Sequence, residues 1–285
     1  PAFYIPPEGN YTGNISVRMP VASGTAGYYT QFQSNNGSVG TVDYSNVSEG
    51  YVMCQQSSAS RIKVQIVGPS GTYNYDLNNS GTYEVFPMNM GSGAYRVRIM
   101  QQNPESGKYA ELGAVDINVS LNSSLSPYLY PNQYVNYSSA SSVVRKSYNL
   151  SMNCSSDVEK VAAIYHFITH NVSYDYGKAA SVSSGYIPNP ESTLASRSGI
   201  CFDYAALAAA MLRAQGIPTR LVIGYAPNGA YHAWNMIYLN NTGWITIKIQ
   251  LSGGTWNLVD TTFAASNGPD YFVPNSGAYT TTEYH

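Results

Sequence analysis

Cys201-Phe202-Asp203-Tyr204-Ala205-Ala206-Leu207-Ala208-Ala209-Ala210-Met211-Leu212-Arg213-Ala214-Gln215-Gly216-Ile217-Pro218-Thr219-Arg220-Leu221-Val222-Ile223-Gly224-Tyr225 is the stretch on which the fold turns. Its first part is Ala-rich and carries Leu207, Met211 and Leu212, which predicts a helix from 201 to about 215. Gly216 is the expected stop, and Pro218 prevents continuation. Beyond it the apolar period changes from helical to two. Segments 219–225, 231–239, 243–250 and 255–260 read as consecutive antiparallel strands joined by Asn/Gly turns. Upstream, Ser156 with Glu159 is a capping-box pattern, and Val161, Ile164, Tyr165 and Ile168 recur at helical spacing. A loop marked by Gly185, Pro188 and Pro190 separates the two helices. Helices followed by a meander of strands make the back of the chain α+β.

The front is different. Ile62, Val64 and Ile66 alternate with polar residues, and Gly68-Pro69-Ser70-Gly71 is a turn, with no following helix and Lys to make it a phosphate loop. Further strands are expected at 72–77, 82–86, 94–101 and 108–119, a spacing that argues a small Ig-like β-sandwich. Residues 1–48 are rich in Gly, Ser, Asn and Tyr with little periodicity, and read as an extended leader, partly β. Pro127 and Pro131 flank a Tyr-rich linker. The expected division is therefore 1–48 leader, 49–122 β-sandwich and 123–285 α+β domain. No internal repeat is visible.

Composition narrows the function. The 285 residues include 14 Lys+Arg and 16 Asp+Glu, so charged residues are only 11%, against about 25% in an ordinary soluble protein. A net charge of −2 leaves no basic stripe to collect phosphates, which argues against nucleic acid or an anionic membrane surface as partner. No apolar run is long enough for a transmembrane helix. A first residue other than Met suggests a processed or trimmed chain, with any signal or anchor segment outside it. The low-charge, Tyr/Asn/Ser-rich style suggests an exported protein, extracellular or at the cell surface. The frequent Asn-x-Ser/Thr triplets read as a product of that composition. The 27 Tyr read as sheet formers before sugar platforms.

Three cysteines, Cys54, Cys154 and Cys201, leave at least one thiol unpaired, and a Cys54–Cys154 disulfide is disfavoured across two expected domains. Cys201 stands at the first turn of the predicted helix, where free amides and the positive dipole end are expected to lower a thiol pKa. A thiolate nucleophile needs a base and a group to orient that base. His232 begins a strand 31 residues on, and Asp260 ends another after 28 more. Trp234 falls on the same strand face as His232 and is expected to wall the site. His166 and His170 have helical i, i+4 spacing, but no further ligand set accompanies them, so they read as a solvated face and no metal is expected.

Gly199-Ile200-Cys201-Phe202-Asp203-Tyr204-Ala205, Gly216–Tyr225, Tyr231-His232-Ala233-Trp234-Asn235 and Trp256-Asn257-Leu258-Val259-Asp260-Thr261-Thr262-Phe263 together resemble the transglutaminase-like core of the papain-like cysteine superfamily, over roughly 155–265. With the β front half, the chain is similar to exported transglutaminase-like proteins of gut-type Gram-positive bacteria. The resemblance implies a Cys-His-Asp triad on Cys201, His232 and Asp260. Thr261 departs from the Pro that commonly follows the triad Asp. The Cys201 amide is one expected oxyanion donor; Tyr186, Trp234 and Asp203 are weak candidates for substrate or oxyanion contacts. The implied activity is a cysteine peptidase or amidase acting on protein, surface-protein or cell-wall peptide. The alternatives are a transglutaminase joining Gln to amines and a non-catalytic surface module. No cofactor is expected.

Overall fold

The computed structural model describes residues 5–34, 36–225, 229–252, 255–259 and 280–285, the side chains of 248–252 and 255–259 excepted. Two compact units are present: Pro20–Gln133, and Pro1–Met19 together with Tyr134–His285.

In the first unit β1 (Tyr29–Gln33), β2 (Val39–Asp43), β3 (Tyr51–Gln55) and β6 (Glu84–Pro87) make an antiparallel sheet in the order β1-β2-β3-β6. A second antiparallel sheet joins β4 (Ile62–Gly68), β5 (Gly71–Leu77), β7 (Gly93–Gln102) and β8 (Tyr109–Val119) in the order β5-β4-β7-β8. Strand alternation does the expected work here: Ile62, Val64 and Ile66 are buried, and so are their β7 neighbours Val97 and Ile99. Tyr75 of β5 packs on Phe86 of β6, with ring centroids 4.9 Å apart, so side chains of the two sheets meet. Gly113 of β8 lies against the Phe32 ring, where a Cβ would clash.

The boundaries differ from the expected 1–48, 49–122 and 123–285. Strands β1 and β2 fall inside the stretch read as a leader that is partly β, and they supply half of the first sheet. The sequence hides this because Gly40, Thr41, Val42 and Asp43 are all buried, leaving no alternation to read. Residues before Pro20 belong instead to the second unit. There Tyr11 donates its N–H to Asn149 (2.8 Å), Arg145 donates to the Tyr11 carbonyl (2.9 Å), and Lys146 pairs with Glu8 (2.7 Å).

The second unit is mixed α/β. Its helices are α1 (Ser142–Ser151), α2 (Asp157–Asn171), α3 (Tyr176–Ser181), α4 (Pro190–Ser196) and α5 (Cys201–Ala214). Two short strands, β9 (Ser173–Tyr174) and β10 (Ser198–Gly199), pair in parallel just before α5. The remaining strands are β11 (Thr219–Tyr225), β12 (Tyr231–Leu239), β13 (Gly243–Ser252), β14 (Thr255–Val259) and β15 (Thr280–Tyr284), in an antiparallel sheet ordered β14-β13-β12-β11-β15. Ser156 caps α2 by accepting from the Glu159 amide at 3.2 Å, but the Glu159 carboxylate takes the Ser155 amide, one residue before the cap.

Every residue of α5 after Cys201 is buried, so this is a central helix and not an amphipathic surface one. Its alanines leave little side-chain bulk, which lets the α1, α2 and α4 helices and the β11–β12 hairpin pack around it. Arg213 at its end is buried and donates to the carbonyls of Thr219 (2.7 and 3.0 Å) and His285 (2.8 Å), tying the helix exit to β11 and to the residue after β15.

Candidate active site

The position of Cys201 is built by the turn into α5. Asp203, fully buried, folds its carboxylate back over that turn and accepts the Ile200 N–H at 2.9 Å. Gly199 is required there, because a Cβ would collide with the Asp203 side chain. The cap leaves Cys201 as the first helical residue, partly buried, at the helix end whose amides are otherwise unsatisfied. Three backbone N–H groups favour the thiolate: those of Ala233, Phe202 and Cys201 itself. Ala233 is the residue after His232, so β12 brings its backbone onto the sulfur beside the predicted base.

These amides do not dominate. Burial is the largest influence and pushes the Cys201 thiol up, with Asp203 adding in the same direction. The lowered pKa expected from the helix end alone is therefore corrected: desolvation in a mostly apolar pocket outweighs the dipole end.

A pocket of about 240 Å³, counted to its solvent-open rim, is lined by Cys201, Tyr204, Ala205, Ala233, Trp234, Asn235 and Ile247. His232 is paired with Gly224 across the β11–β12 ladder, and its ring stacks on Trp234 with centroids 6.0 Å apart. Trp234 is buried and reaches over Gly224, where a side chain would meet its ring. Trp234, expected to wall the site, lines the same pocket as Cys201.

Asp260 lies outside the described residues. Val259, which precedes it in sequence, pairs with Lys248, and the neighbouring Ile247 pairs with Asn235 of β12. Tyr186 and Asp203 bond to each other, Tyr186 Oη donating to Asp203 Oδ1 at 2.5 Å. Both hold the turn rather than line the pocket. His166 and His170 stack with centroids 3.9 Å apart, and His170 Nδ1 contacts the His166 carbonyl at 2.8 Å. Among the described residues no cluster of three or more His, Cys, Asp or Glu could hold a metal. All three cysteines are free thiols.

Asn235 and Tyr165 went unassigned in the sequence. Asn235 is buried, accepts the Tyr165 hydroxyl at 2.7 Å, and donates to the carbonyls of Ala205 (3.0 Å) and Arg220 (3.2 Å). One amide thus fastens α2, α5 and β11 to the strand carrying His232. A polar Asn inside the apolar alternation Ala233, Ile237, Leu239 was the available signal, since a buried amide must be bonded.

A mixed α/β core with a helix-terminal cysteine set against an antiparallel sheet defines the class. Residues 146–249 match the family model described as transglutaminase-like superfamily, a little over a third of the chain. Mouse kyphoscoliosis peptidase is 31% identical over 121 residues and human kyphoscoliosis peptidase 30% over 120, covering 39% and 38% of this chain. The chain matches only 16% of the length of each of these curated relatives. Among solved structures, a candidate cysteine protease from Cytophaga hutchinsonii is 20% identical, covering 81% of this chain and 80% of its own, with a TM-score of 0.39. Red sea bream transglutaminase is 12% identical, covering 73% of this chain and 49% of its own, with a TM-score of 0.31.

Proposed function

We propose that the chain is an exported cysteine hydrolase that cleaves peptide or amide bonds through a Cys201–His232–Asp260 triad. Cys201 Sγ attacks the carbonyl carbon as His232 takes the thiol proton. The tetrahedral oxyanion collapses, the C–N bond breaks, and His232 delivers that proton to the leaving amine. Water, deprotonated by His232, then attacks the thioester; the acid leaves and the proton returns to sulfur. Asp260 orients the imidazole. The observation that carries this reading is the Cys201 thiol at the start of α5 with the Ala233 amide, next to His232, directed at it. The match of residues 146–249 to the transglutaminase-like superfamily supports the same chemistry. Substrates are protein or peptide, including surface protein or cell-wall peptide, and the Pro20–Gln133 unit is an Ig-like β-sandwich.

Mass spectrometry of peptide and cell-wall digests treated with wild type or Cys201→Ala tests this. New carboxyl termini that appear only with wild type support hydrolysis. Identical digests from the two proteins contradict it. The second reading, acyl transfer to an amine, rests on the same superfamily match and on the partly buried thiol, since a protected thioester survives long enough to meet an amine. Including a fluorescent primary amine in the same reactions separates them: incorporation into protein favours transfer, and release without incorporation favours hydrolysis.

A further inference from the structure

Asp203 presents a problem for the site it supports. Its carboxylate is completely buried two residues from Cys201, and a negative charge there opposes formation of a thiolate. Among the described residues, one cation is paired with this group. Lys178 of α3 places Nζ 2.9 Å from Asp203 Oδ2, while its ammonium also lies 4.5 Å from the centroid of the Tyr186 ring. Tyr186 completes the cluster through its hydrogen bond to Asp203 Oδ1. Burial works against the Lys178 ammonium, but its bonds to Tyr186 and Asp203 prevail and leave its pKa raised, so it stays charged.

The placement is specific. Asp175 caps α3 by accepting the Lys178 N–H at 2.9 Å, and its own N–H donates to the Gly199 carbonyl at 2.9 Å. The short helix is thereby held against the strand that leads into Cys201. Tyr174 of β9 and Tyr231 of β12 interact electrostatically with Cys201, and His232 is one residue from the Ala233 amide.

We propose that Lys178 is a positioning residue for the nucleophile: by pairing with buried Asp203 it lets this carboxylate cap the α5 turn while reducing its opposition to the Cys201 thiolate. The proposal rests on Cys201 being the nucleophile. It gives α3 a role no triad assignment contains, and it explains why an acid can occupy the third position of the nucleophile helix. Lys178 acts through Asp203 and need not touch substrate. Any change that removes the ammonium, including acylation of Nζ, would weaken the nucleophile at neutral pH.

The test is peptide-resolved iodoacetamide alkylation of Cys201 across pH in wild type, Lys178→Met and Lys178→Arg, with Cys154 read in the same samples. Met in place of Lys178 should move the Cys201 profile to higher pH and slow alkylation at pH 7 about 3–10-fold, which corresponds to a shift of roughly half to one pH unit. Arg should restore most of the wild-type profile, and the Cys154 profile should not move. A purely structural role would change the Cys154 profile or the urea midpoint while leaving the Cys201 pH dependence in place. Superimposable Cys201 profiles for wild type and Lys178→Met overturn the proposal, as does an Arg variant shifted as far as the Met variant. A wild-type Cys201 that fails to react at any pH overturns the nucleophile assignment itself, a distinct result.

Discussion

Each of the two compact units holds a cysteine inside regular structure, and the two thiols have opposite prospects. Cys54 sits in mid-β3 of the Pro20–Gln133 unit, fully buried, with burial, Glu84 and Asp43 all driving its pKa far up. Its strand is paired on both sides, to β2 and to β6. Cys201 is also largely removed from water, but it begins a helix, and three amides favour its ionised form. Burial makes both thiols weak acids; only at Cys201 do the helix start and the Ala233 amide of β12 add donors that a developing anion can use. The residue type is therefore uninformative on its own, and the element it begins or interrupts decides its chemistry.

The sharpest break of this comparison is substitution. Cys201→Ser should lower turnover by about 10³-fold or more, as removal of a covalent nucleophile does, while Cys54→Ser leaves turnover of the folded protein unchanged. Steady-state rates on any cleaved peptide decide this, and equal losses in the two variants would erase the distinction. Next in size is the scaffold under Cys201. Asn235→Ala strips partners from the Tyr165 hydroxyl and from the Ala205 and Arg220 carbonyls, and should cost about 2–4 kcal/mol in urea unfolding; a loss below about 1 kcal/mol contradicts the role assigned to the amide. Cys54→Ser puts a hydroxyl into a fully buried apolar site and should cost about 1–3 kcal/mol, read from the same denaturation curves.

The smallest effect concerns pH. His285 is buried, and burial lowers its pKa below the ordinary 6.5 despite the opposing bond to Glu283. A depressed folded pKa means the unfolded chain binds the proton better. The His285 contribution to stability is therefore complete above 6.5 and is lost as pH falls through the folded value. His285→Gln should flatten the acid side of the stability profile below pH 6.5; an unchanged slope would remove His285 as its source.

Legibility in the sequence followed local signals. The α5 helix, its Gly216 stop and the β11–β13 meander were readable because small apolar residues, a glycine and a change of period coincide within a few positions. β4, β5, β7 and β8 were readable because one face is apolar and the other polar. The bounds of β1 and β2 and their place in the sheet were not, since Thr41 and Asp43 are buried beside Val42 and mask the alternation. Residues 5–19 have no element of their own; their place on α1 is fixed by long-range bonds such as Tyr11 to Asn149, which no local pattern encodes. At the site, Cys201 and the β12 position of His232 were visible from the motif blocks. The net upward push on the thiol was not, because it depends on how much of α5 is buried. The Lys178–Asp203 pair spans 25 residues and a loop, and nothing in the sequence links them.

The most direct measurement is acylation of the intact protein with p-nitrophenyl acetate, followed by peptide-resolved mass spectrometry. Release of p-nitrophenolate should leave an acetyl group on the Cys201 peptide, removable by hydroxylamine, with Cys54 and Cys154 unmodified. An acetyl group found on Cys154 in preference to Cys201, or folded protein that neither carries acetyl on Cys201 nor releases p-nitrophenolate faster than Cys201→Ala, would contradict the assignment of Cys201 as the nucleophile.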